Sequence, residues 1–254
     1  MSLLGPDDPA PHEVVRPTGG SRFVLTADHA GRRLPRALGD LGVSASELAR
    51  HIAYDLGIEA LARAVSARLD AFLILQTYSR LAIDPNRPPG VPQSITARSE
   101  RTDIPGNLDL APDAIEARQR ELFWPYHHRI TAELDQRKAD GREAVLIALH
   151  SFTPVYMDDA RPFHAGVLYN RDPRLARALL ARLRDDSSLV VGDNEPYALG
   201  DLSDYTVPTH GEKRGLLHVE IEVRQDLLAD EVGVTAWADR LARDLERAYA
   251  DVVG

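Results

Sequence analysis

Residues 144–150 read Ala-Val-Leu-Ile-Ala-Leu-His. An unbroken apolar run that stops at a polar residue is the pattern of a strand buried on both faces of a sheet. Two segments repeat it. Arg22–Ala27 (RFVLTA) runs into Asp28-His29-Ala30-Gly31, and Phe72–Thr77 (FLILQT) runs into a polar stretch. Val167–Tyr169, Leu189–Val191 and Leu216–Val223 are further strand candidates. Helical patterns lie between them. Ser44 with Glu47 makes a capping box that opens a helix expected to run to about Asp70. Residues 111–140, Arg174–Arg184 and Val234–Val252 read as three more helices. Strands alternating with helices predict a three-layer α/β fold, with a mostly parallel or mixed central sheet covered by helices on both faces.

The 254 residues suit one domain, taken as 21–254. Residues 1–20, rich in Pro, Gly and Asp, read as a flexible lead-in. No apolar run reaches the length of a membrane span and no secretory pattern opens the chain, so a cytoplasmic location is expected. Cysteine is absent. Disulfides, thiolate zinc sites and a cysteine nucleophile are thereby excluded, and any metal must sit on His, Asp and Glu, the donor set of hydrolytic zinc. The net charge of −9 argues against nucleic acid. An anionic small substrate would need clustered arginines, which the stretch around Arg80 and Arg87 offers.

Functional groups of open α/β sheets gather beyond the carboxyl ends of the strands. His29 and His150 each follow a buried strand. In a chain without cysteine, two such imidazoles point to a metal; the alternative is that each caps a strand end. Asp55 falls within the apolar stripe of Leu48, Ile52, Leu56, Ala62, Val65 and Leu69 at helical spacing. A carboxylate aimed at a core either coordinates a metal or pairs with an arginine such as Arg80. Asn86-Arg87 after the second strand is a candidate carboxylate clamp. Glu220, Glu222 and Arg224 alternate and so share one face of a strand, either a solvated edge or the wall of an active site. His164 and Asn194-Glu195-Pro196-Tyr197 read as shaping loops around the pocket, and the pair His127-His128 as packed or on the surface; His210 lies in a polar loop within possible reach of a substrate.

A set of short motifs extends this reading: Asp28-His-Ala-Gly31, His51-Ile-Ala-Tyr-Asp55-Leu-Gly57, Tyr78-Ser-Arg-Leu-Ala-Ile-Asp84-Pro-Asn-Arg87, Ile104-Pro-Gly-Asn107, Leu149-His-Ser-Phe-Thr-Pro154, His164-Ala-Gly-Val-Leu-Tyr-Asn170, Val191-Gly-Asp-Asn-Glu-Pro-Tyr197 and Glu220-Ile-Glu-Val-Arg-Gln-Asp226. In this order they resemble the N-formylglutamate amidohydrolase family over roughly residues 22–230. The resemblance implies a phosphorylase/hydrolase-like fold related to zinc carboxypeptidases, and one divalent metal, zinc. It implies His29 and His150 as metal ligands, Arg80 as a catalytic arginine and Glu222 as the base. Asn86 and Arg87 become the clamp for a small acidic N-acyl amino acid, with Arg224 assisting them or pairing with Glu220. One position departs: carboxypeptidases place a Glu where Arg32 stands. The acidic ligand is therefore assigned to Asp55, with Asp28 in reserve. Other outcomes left open are a γ-glutamyl or other N-acyl substrate, and a metal-free binding protein for acidic metabolites.

Overall fold

A computed structural model describes residues 2–254. Seven strands form the central sheet: β1 (His12–Val15), β2 (Phe23–Ala27), β3 (Phe72–Gln76), β4 (Val145–Phe152), β5 (Ala165–Leu168), β6 (Val191–Asp193) and β7 (His218–Arg224). Their order is β1-β3-β2-β4-β7-β5-β6. The four central strands β3, β2, β4 and β7 run parallel. β1 pairs antiparallel at one edge, and β5 with β6 runs antiparallel to the centre at the other. The sheet is thus mixed, and β2, β3 and β4 are buried along their whole length.

Six α-helices complete the framework: α1 (Ala45–Leu48), α2 (Ile58–Leu69), α3 (Pro112–Arg118), α4 (Trp124–Ala139), α5 (Arg174–Arg184) and α6 (Glu231–Val253). Alternate strand residues face opposite layers. Phe23, Leu25, Leu73, Ile147 and Val219 pack with α2, α5 and α6. Val24, Phe72, Ile74 and Leu146 meet Tyr126, Ile130 and Leu134 of α4 on the other side. The three-layer α/β arrangement expected from the alternation is present. A π-helical turn at Gln119–Phe123 joins α3 to α4.

Three segments depart from the sequence reading. Within the expected lead-in, His12–Val15 pairs with Gln76–Leu73 and completes the sheet edge. β4 continues past Leu149, so His150 sits inside a strand opposite Glu222 of β7. The helix expected from Ser44 to Asp70 is two helices. Ser44 does cap the first turn, accepting from the Glu47 amide, but the chain leaves the helix after Leu48. Its backbone is committed elsewhere. The Asp55 amide donates to the His29 carbonyl at 2.9 Å, and the Arg80 amide donates to the Ala53 carbonyl at 3.2 Å. Gly57 then opens α2 with φ 79°, in the left-handed region.

A methyl group on Gly57 would lie 2.5 Å from Leu228 Cβ. Gly57→Ala therefore combines a strained φ with a clash, and is expected to destabilise the fold by about 2 kcal/mol. That corresponds to a fall in Tm of about 4–8 °C by calorimetry. An unchanged Tm would mean that the loop before α2 has another backbone conformation within easy reach.

The long loop 84–107 is fixed from beneath by buried polar groups. Asn107 Nδ2 donates to the carbonyls of Leu81 (2.9 Å) and Thr96 (2.8 Å). Buried Arg118 donates to Asn107 Oδ1 at 2.6 Å and to the Ala82 carbonyl at 2.9 Å. This network holds the residues after β3 against the carboxyl edge of the sheet.

Candidate active site

The parallel strands deliver their polar ends to one place. β2 runs into Asp28 and His29, β4 carries His150, and β7 carries Glu220 and Glu222. The segment after β3 adds Arg80, Asp84, Asn86 and Arg87, and the loop before α2 adds Asp55. His29, Asp55, Arg80, Asn86, Arg87, His150, Glu220 and Glu222 all line one cavity of about 430 Å³.

The two imidazoles expected to converge do so, with ring centroids 4.8 Å apart. Asp55 Oδ2 lies 3.5 Å from His29 Nδ1 and 3.0 Å from His150 Nδ1. One donor atom from each of the three residues lies within 4.8 Å of the others. All three side chains are withdrawn from solvent, at 3%, 4% and 2% exposure for His29, Asp55 and His150.

Behind each imidazole stands a further buried carboxylate. His29 Nε2 lies 2.8 Å from Asp84 Oδ1, whose other oxygen accepts from Arg80 Nε at 2.9 Å and Nη2 at 2.5 Å. His150 Nε2 lies 3.4 Å from Asp28 Oδ2, and Asp28 Oδ1 accepts from the Tyr126 hydroxyl at 2.6 Å. A carboxylate on the far nitrogen is the usual support of a metal-bound histidine, because it fixes ring orientation and raises donor strength.

The charges agree with the geometry. Burial alone would raise the Asp55 carboxyl, but the His29 and His150 imidazoles hold it well below the carboxylate range. Asp84 is lowered against its own burial, chiefly by Arg80. His150 is driven far above the ordinary imidazole value despite burial, by Glu220, Asp28 and Asp55. Three ionised carboxylates thus surround two imidazoles and one guanidinium, and His29 Nδ1 has no hydrogen-bond partner. Two imidazole nitrogens and a carboxylate oxygen beside an open cavity could hold a divalent ion, and the residues present fit one.

On the adjacent strand, Glu222 is paired in register with His150, and its Oε2 is unpartnered. Burial pushes its carboxyl up to about 7, against the pull of His150, His29 and Arg80. Glu220, on the same face of β7, is driven well above the carboxylate range by burial. Arg80 Nη1 lies 3.7 Å from Asp55 Oδ1.

Asn86 and Arg87 line the cavity while also tying down the segment 203–206. Asn86 Oδ1 accepts from the amides of Tyr205 and Thr206, both at 3.0 Å, and its Nδ2 donates to Asp204 at 3.2 Å. Arg87 Nη1 donates to the carbonyls of Asn86 and Ser203. Arg224 is not brought to the cavity. It stands at the end of β7, donating to Asp226 at 2.8 Å and to the Phe163 carbonyl at 3.3 Å, and does not pair with Glu220.

Several site residues had no assigned role in the sequence reading. Asp84 was only part of a motif, yet it joins His29 to Arg80. His51 lines the cavity with Nε2 3.2 Å from Glu100 Oε1. Tyr197, expected only as part of a loop shaping the pocket, lines the cavity from the loop after β6. The local signal for all three was membership of the short motifs quoted above.

His127 and His210 lie away from the cavity as a buried pair, with Nδ1 of the first 3.0 Å from Nε2 of the second. His127 Nε2 donates to the Pro85 carbonyl at 2.8 Å, so His210 supplies the proton between them. Burial lowers His127 to about 4 and His210 to about 3 from an ordinary 6.5. Because these folded values lie below the unfolded one, the unfolded chain binds more protons between them. The contribution is complete above about pH 6.5 and declines as pH falls towards about 4. The urea midpoint is expected to drop between about pH 7 and about pH 4.5, and to drop less in His210→Gln. Equal drops in both proteins would show that this pair is not held neutral.

Fold and cavity together describe an α/β enzyme with a hydrolytic type of site. The N-formylglutamate amidohydrolase family model matches residues 21–229, and the chain belongs to that family of amidohydrolases. A gene product of Agrobacterium tumefaciens of known crystal structure is 36% identical, with a TM-score of 0.96 over 99% of this chain and 100% of that one. An N-formylglutamate amidohydrolase from Ralstonia eutropha JMP134 is 20% identical, with a TM-score of 0.72 over 96% of this chain and 98% of its own. At that identity the second likeness is one of fold. No curated protein matches the chain. Among the described residues no helix is long and apolar enough to cross a membrane.

Proposed function

We propose that this amidohydrolase cleaves the amide of an N-formyl amino acid such as N-formylglutamate, using one divalent metal, zinc, held by His29, Asp55 and His150. The observation that carries the reading is the buried His29–Asp55–His150 cluster with Glu222 beside it, the register neighbour of His150 on the next strand, all lining one cavity. Bound there, zinc supplies the Lewis acidity that brings ionisation of water into the neutral range.

The chain's own residues supply the rest. Glu222 takes a proton from the attacking water as its oxygen bonds to the acyl carbon. It returns that proton to the amide nitrogen as the C–N bond breaks, leaving formate and a free amino acid. A carboxyl raised to about 7 is suited to both transfers. Arg80, oriented by Asp84, donates to the carbonyl oxygen as negative charge develops there. Arg87, with Asn86 fixing the backbone around it, takes the substrate carboxylate; Arg224 has no part.

A panel of N-formyl, N-acetyl and γ-glutamyl amino acids, assayed with added zinc, tests this directly. Hydrolysis of the N-formyl members is expected. Turnover confined to γ-glutamyl compounds would reassign the substrate, and tight calorimetric binding without turnover of any would make the protein a binder.

A further inference from the structure

The loop after β6 is seated by two glycines. Gly166 of β5 and Gly192 of β6 are neighbours in the sheet, and Gly166 also lies in register with Glu222. A Cβ on Gly166 would fall 2.0 Å from the Glu195 carbonyl oxygen, and one on Gly192 would fall 2.6 Å from it. Only the bare backbone at both positions lets residues 195–197 lie across the sheet end beside Glu222. Tyr197 follows directly and lines the cavity.

Its ring is then clasped. The Arg161 guanidinium stands 4.7 Å from the Tyr197 ring centroid, 4.9 Å from that of Tyr156 and 5.8 Å from that of Phe152. Arg161 Nη1 also donates to the Tyr197 hydroxyl oxygen at 2.6 Å. Stacking of a cation among aromatic faces favours one ring position over others. Because the hydroxyl oxygen accepts from Arg161, its own hydrogen remains available for a further acceptor.

In the proposed reaction the acyl carbon must lie between the base and the arginine that receives the carbonyl charge. Tyr197 lines that cavity from a loop seated on Gly166, the register neighbour of Glu222, which puts its ring at the side where the substituent on that carbon must lie. We infer that Tyr197 sets the upper size of the acyl group, admitting hydrogen and excluding longer chains, and that Arg161 is the positioning residue for its ring. This rests on the amidohydrolase reading above.

The test compares kcat/KM for N-formyl, N-acetyl and N-propionyl glutamate in the wild type, Tyr197→Ala, Tyr197→Phe and Arg161→Met. Tyr197→Ala is expected to raise the acetyl-to-formyl ratio by at least about tenfold, the scale on which pockets discriminate small apolar groups. Tyr197→Phe keeps the ring and should leave that ratio within about twofold. Arg161→Met should shift it in the same direction as Tyr197→Ala, whereas general loosening would lower all three substrates together. An active wild type whose ratio is unmoved in Tyr197→Ala overturns this inference alone. A wild type inactive on all three overturns the amidohydrolase reading and this inference with it.

Discussion

Glu222→Gln is expected to lower kcat by at least about a hundredfold while leaving metal content unchanged. The substitution keeps the size of the side chain but removes its ability to carry a proton between water and the leaving amine. Glu222 is 6% exposed, with one oxygen unpartnered, and it faces the cavity rather than the core. It makes no hydrogen bond that holds the fold, so thermal stability should change little. Steady-state kinetics with metal analysis on the same preparation checks both halves. Activity near the wild-type level would take Glu222 out of the proton transfer and leave its neighbour Glu220 as the base.

His29→Ala and His150→Ala are each expected to reduce bound zinc from about one equivalent to a small fraction of that, with activity lost in parallel. Each change removes one of three donor atoms and leaves a buried carboxylate, Asp84 or Asp28, without its imidazole partner. Asp84→Asn offers a finer probe, because it keeps the shape behind His29 and removes the charge. Loss of such a supporting carboxylate weakens metal binding by about ten- to a hundredfold. Titration against a competing chelator measures it. Zinc retained at full stoichiometry in both alanine variants would move the ion away from these residues.

How much of this was legible in the chain follows from the range of the forces involved. The apolar runs at Phe23–Ala27, Phe72–Gln76 and from Val145 name the buried strands, because a strand covered on both faces admits little else. Once those strands are parallel, their polar ends meet by geometry, so the proximity of His29 and His150 could be anticipated. The backbone around Asp55 could not. The apolar stripe from Leu48 to Leu69 keeps helical spacing through a region that is not helical. Hydrogen bonds from distant segments, together with Gly57, decide the matter there. Arg224 misled for a related reason: it shares the face of Glu220 and Glu222, but it stands where the strand ends and its neighbour Asp226 is nearer. Tyr197 was legible as part of a loop at the pocket, but its seat depends also on Gly166 of another strand, a relation that no local pattern carries.

The strand His12–Val15 has a bearing on how the protein can be handled. It covers the outer backbone of Phe72–Gln76, a flat and apolar segment. Trimming the chain before residue 17 would bare that row of amide and carbonyl groups. Uncovered edges of this kind recruit other molecules into extended sheets. A shortened protein would therefore suffer in solubility, and would also lose Leu3 from its packing with Tyr78, Ala82 and Ile83 and the Pro9 carbonyl that accepts from the Tyr78 hydroxyl.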